Sequence, residues 1–99
     1  MVDSQFETML DQMEDELEGA EEYIKCAVAN KETMPEFSDI YLRMANTEME
    51  HATHIHGMIQ KFIDKHPDNH EIHAVWDWQK GRFARWMTKI KTKAEMARK

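Results

Sequence analysis

Glu48, Met49, Glu50 and His51 form an E-x-x-H set. It puts a carboxylate and an imidazole one helical turn apart, on one face. Those two groups together can hold a cation. The same face continues at steps of four and three through Phe37, Tyr41, Met44, Glu48, His51, Ile55, Met58 and Phe62. Six of the eight are apolar or aromatic, so the two polar groups interrupt a stripe expected to be buried. A buried carboxylate costs several kcal/mol unless it is paired, protonated or bound to metal. An earlier stripe, Phe6, Met9, Met13, Glu16, Ala20, Tyr23 and Ala27, flanked by Leu10, Leu17 and Ile24, has one such interruption of its own, Glu16.

These stripes need helices to carry them. The first helix is expected to start at Asp3 or Ser4, both good N-caps, with Glu7 at the capping-box spacing from Ser4. Residues 30–35 read as a loop, Pro35 suits the opening of the next helix, and the second helix runs from about Glu36 to Lys65. A third helix follows from Asn69 or His70 to near the C-terminus, with the stripe Ile72, Trp76, Gln79, Phe83, Trp86, Ile90, Ala94 and Ala97, flanked by Val75 and Met87. With three glycines and two prolines, few turns are available and long helices are expected. There is no strand signal. The chain is read as a single domain, 1–99: an antiparallel helical hairpin over 3–66 and a basic, Trp-rich C-terminal helix over 69–98.

A short loop makes the first two helices antiparallel neighbours. Glu16 lies nineteen residues before Pro35 and Glu48 thirteen after it, so they are level only if the loop is longer, and partly helical, on its first side. If level, one chain offers two carboxylates and one imidazole to a single point. Two chains related by a two-fold offer four carboxylates and two imidazoles. That inventory suits a pair of iron or manganese ions, the donor set of four-helix di-iron carboxylate proteins; zinc alone more often recruits sulfur or more histidine. The bland reading is a Glu–His hydrogen bond that fixes register. Because 99 residues give a thin core around polar groups, a second copy is expected to supply the missing apolar surface, as a homodimer or higher homo-oligomer.

The segments Asp15–Tyr23, Pro35–Phe37 and Ala45–Ala52 resemble the ferritin-like superfamily. They are most similar to its short half-bundle members, the encapsulated ferritins and rubrerythrin-type di-iron proteins. The resemblance covers about residues 12–65. It implies a ferritin-like four-helix bundle completed by dimerisation, with Glu16, Glu48 and His51 as metal ligands and Tyr23 beside them. It implies a di-iron ferroxidase oxidising Fe²⁺ with oxygen or peroxide for iron handling or detoxification, with manganese or zinc as alternative metals. Asp15 and Glu18 match acidic positions that guide iron in. The chain ends Glu95-Met96-Ala97-Arg98-Lys99, unlike the peptide that docks encapsulated ferritins in an encapsulin shell.

Net charge is −6, with fourteen acids and three bases over residues 1–50. Residues 80–99 carry eight bases and one acid. This asymmetry can be satisfied within the molecule, the third helix covering the bundle with its bases facing the acids of the first. The alternative is a non-catalytic helical interaction protein whose basic helix binds a partner or polyanion, nucleic acid being the lesser expectation. Trp78 falls off the third stripe and is expected to be exposed. His54 and His56 are read as surface residues; His66, His70 and His73 as loop and cap residues. The nine methionines are read as core filler. One cysteine, Cys26, no basic or apolar leader at Met1–Ser4, and no apolar run of ~18 residues point to a cytoplasmic protein without a membrane span.

Overall fold

A computed structural model describes residues 3–99; Met1 and Val2, which entered the leader reading, lie outside the described residues. Three helices account for nearly all of it: α1 (Ser4–Asn30), α2 (Pro35–Asp64) and α3 (His70–Arg98), with no strand among the described residues. The molecule is a rod of 54 × 19 × 18 Å. No helix is long and apolar enough to cross a membrane among the described residues.

The helix ends follow local chemistry. Asp3, not Ser4, is the α1 N-cap, and its carboxylate accepts from the Gln5 and Phe6 amides. Ser4 is the first helical residue, so its spacing from Glu7 is not used as a capping box. Helix α2 has no side-chain cap. It opens on Pro35, whose missing N–H costs nothing at that position. Asn69 caps α3 by accepting from the Ile72 amide at 3.2 Å.

Helices α1 and α2 form an antiparallel hairpin. Its register is pinned near both ends by stacked ring pairs: Phe6 on Phe62, centroids 6.5 Å apart, and Tyr23 on Tyr41, 6.2 Å apart. Such pairs contribute about 0.5–1.5 kcal/mol each beyond their burial. Between them α1 buries Met9, Leu10, Met13, Leu17 and Ala20, as its stripe predicts.

The α2 expectation is corrected. Its buried face is Leu42, Ala45, Met49, Ala52, Ile59 and Ile63, one residue on from the predicted stripe. One residue is ~100° of rotation. Both rows satisfy the three-and-four spacing, and α2 is apolar over an arc wide enough for either. The small Ala45 and Ala52 let α1 approach closely, so that row faces inward. Phe37, Ile40, Met44 and Met58 are therefore 47, 44, 37 and 54% exposed. The methionines divide in the same way: Met9, Met13 and Met49 are buried, whereas Met44, Met58 and Met96 are exposed and fill no core.

Helix α3 lies in the groove of the hairpin, antiparallel to α2. Ile72, Trp76, Ile90, Ala94 and Ala97 are buried, as its stripe predicts. Trp76 donates its indole N–H to Gln60 at 2.9 Å. Its bases do face the acids of α1: Arg82 reaches Glu14 at 2.5 Å and Lys93 reaches Glu21 at 3.8 Å, and Glu21 also accepts from the Trp86 indole. These pairs are partly exposed, so each is worth little in stability. They orient α3 rather than hold it.

Candidate metal centre

The register of the hairpin decides whether the three polar residues meet. Helix α1 ends at Asn30 and α2 starts at Pro35, so the turn is Lys31–Met34, and whether the two acids are level is set by its two ends rather than by Pro35 alone. Glu16 then lies fifteen residues before Lys31, and Glu48 fourteen after Met34. At 1.5 Å per residue the two carboxylates are level. One ligand atom from each of Glu16, Glu48 and His51 lies within 4.8 Å of the others, the one such group among the described residues. His51 Nδ1 stands 3.4 Å from Glu16 Oε2.

These groups sit at the edge of the core, not within it. Glu16 and Glu48 are half-buried and His51 is exposed. The penalty foreseen for a buried carboxylate is correspondingly smaller in the single chain. The reason is the one-residue rotation of α2, which moves Glu48 and His51 from the centre of the hairpin seam to its open flank.

The electrostatics are strained in a particular sense. The Glu48 carboxyl is held above its ordinary value, chiefly by the hydrogen bond it shares with Glu16, then by partial burial and by the Glu16 charge; His51 acts in the opposite direction. A proton shared by two carboxylates relieves the same repulsion that a bound cation would. Folding of the metal-free chain therefore takes up a proton at pH values between the ordinary Glu value and the raised one. Stability falls as pH rises through that window and is level above it. Glu48→Gln cannot titrate there. The stability of wild type relative to Glu48→Gln, from urea melts in chelator, is expected to decline as pH climbs out of the carboxylate range. Parallel profiles would contradict this.

Gly19 completes the geometry, and sequence reasoning passed over it. A Cβ there would stand 2.9 Å from Glu48 Oε2. Gly19 is one turn from Glu16 on α1, so the bare backbone makes the space into which the Glu48 carboxylate reaches. The available signal was a glycine within a helix, three residues after a stripe carboxylate, where it costs about 1 kcal/mol relative to alanine.

The other candidates fall elsewhere. Tyr23 stacks on Tyr41, and among the described residues its hydroxyl bonds to neither Glu16 nor Glu48. Asp15 and Glu18 are exposed on α1. His54 is exposed as expected, but His56 is not a surface residue: its ring lies 4.8 Å from Trp76 and 4.6 Å from Phe83. Eight residues beyond Glu48 is two turns plus ~80°, which carries His56 round to α3. Desolvation there, with Lys80 adding, pushes its imidazole below the usual range. His66 donates to the Phe62 carbonyl and His73 to the His66 carbonyl, both turn contacts rather than ligand positions. Cys26 is a half-buried free thiol.

No protein-family model, curated protein or solved structure matches the chain.

Proposed function

We propose that the chain is one half of a di-metal carboxylate protein that oxidises Fe²⁺ with oxygen or peroxide. Two copies would join along the open flank of α2, in a four-helix arrangement like that of ferritin-like proteins. The observation that carries this reading is the convergence of Glu16, Glu48 and His51 within 4.8 Å, midway along a flank that leaves Phe37, Ile40, Met44 and Met58 exposed. One chain supplies three donors on a half-open face. A two-fold partner supplies three more and covers the apolar rim.

The donors suit iron or manganese, with zinc a weaker fit because it favours sulfur and additional imidazole. Two carboxylates that share a proton are a ready site for a divalent cation, which takes the proton's place. When bound, iron supplies the electrons that reduce oxygen or peroxide. The chain does the rest. Glu16 and Glu48 release the shared proton and present both carboxylates to the cation. Gly19 leaves the Glu48 carboxylate room to turn. His51 offers its imidazole from the next turn. Covering the flank would exclude water and strengthen every charge interaction inside it.

Metal that binds only the folded chain must stabilise it. At a concentration 100-fold above Kd, Fe²⁺ held anaerobically or Mn²⁺ is expected to raise Tm by roughly 10 °C or more. An unchanged Tm with Fe²⁺, Mn²⁺ and Zn²⁺ would remove the reading.

A further inference from the structure

Helix α3 carries a second cluster that the metal site does not use and that the hairpin engages only through Arg82. Trp78, Arg82, Arg85 and Lys89 follow at steps of four, three and four, along the flank of α3 turned away from the core. Trp78 is 62% exposed, although burying it would have been the ordinary use of an indole. The Arg82 guanidinium lies 6.0 Å from the Trp78 ring and 4.8 Å from that of Trp86. Glu14 holds Arg82 in place, and Glu21 is taken up by Trp86 and Lys93. Arg85 and Lys89 are exposed and make no ion pair among the described residues.

Gly81 belongs to the same arrangement. It lies in mid-helix with negative φ, so no turn or left-handed backbone calls for glycine. The space a Cβ would fill is approached to 3.3 Å by Arg85 Nη1. The missing side chain lets the Arg85 guanidinium lie back along the helix, one turn from Trp78.

We propose that this flank of α3 binds single-stranded nucleic acid, with a base stacked on Trp78 and phosphates on Arg85 and Lys89. An exposed indole stacks on an unpaired base of any sequence, and neighbouring cations track the backbone. A lipid surface fits less well. An interfacial helix must turn its apolar face outward, whereas the apolar face of α3 is packed against α1 and α2. With a net charge of −6 on the whole chain, binding is confined to this flank and is strongly weakened by salt.

The test is titration of the full chain, in chelator, with a labelled oligothymidylate at several salt concentrations, read by anisotropy and tryptophan fluorescence. Wild type is expected to bind with a linear fall of log K against log salt and with quenching. Trp78→Ala weakens binding about tenfold and removes the quenching. Arg85→Ala reduces the salt slope by about 0.7. Lys65→Ala, an equal loss of charge at the end of α2, leaves slope and quenching unchanged. Four results would each overturn the proposal: no salt-dependent binding, equal binding by Trp78→Ala and wild type, tighter binding to a duplex, or uptake by phosphatidylserine vesicles without binding to the oligonucleotide.

Discussion

At a pH above the window in which Glu48 titrates, Glu48→Ala is expected to abolish the metal response while leaving the metal-free fold as stable as wild type, or more so. The two effects separate because Glu48 stands in opposite relations to fold and cation. In the metal-free chain its carboxyl faces that of Glu16 and is kept protonated above the usual range. Alanine ends that conflict and is the better helix former. The same change removes one of the three proposed ligands per chain. Losing a group that merely supports a ligand already costs 10–100-fold in metal affinity or activity, so losing the ligand itself costs at least about 100-fold. Iron oxidation should fall to the rate of the buffer, and the thermal shift with Mn²⁺ should disappear. A variant that oxidises Fe²⁺ at the wild-type rate would separate the activity from these residues.

The second large effect is expected from charge on the open flank of α2. Met44 and Met58 lie four residues before Glu48 and seven after His51, and both are exposed. Exposed substitutions normally move stability by no more than about 0.5 kcal/mol. Met44→Glu with Met58→Glu should therefore leave the single chain folded. In a symmetric pair the same substitutions put four additional carboxylates into the joined surface, each costing several kcal/mol to desolvate unpaired. Sedimentation velocity should show wild type as a dimer or larger and the double variant as a monomer. Circular dichroism should show equal helicity. An unchanged assembly would place the contact elsewhere.

The helices were legible because their signals are local. Proline, asparagine and aspartate mark ends by their own backbone and side-chain chemistry, and the observed bounds of α2 and α3 lie within about a residue of those read from spacing. The buried stripes of α1 and α3 were legible because the rows read from spacing are the ones that pack, although Phe83 and Trp86 of α3 are only partly buried. The face of α2 was not, because two adjacent rows both satisfy helical spacing. The choice between them depends on how closely α1 can approach Ala45 and Ala52, a tertiary fact. The same rotation set the burial of the site and turned His56 toward Trp76. Glu16, Glu48 and His51 could be named from sequence, but their meeting depended on where the turn is centred. Gly19 was silent because its role appears only when Glu48 of the other helix is opposite it.

A pair of half-sites joined by a two-fold should bind metal in a fixed ratio to chains. The most direct test is an anaerobic titration of metal-free protein with Fe²⁺, each point then exposed to air and read by ferric absorbance. The signal is expected to rise linearly and saturate at about two irons per two chains, the stoichiometry of a di-metal carboxylate centre. An absorbance that grows slowly without saturating, at the same rate for wild type and Glu48→Ala, would contradict the assignment of Glu16, Glu48 and His51 as ligands.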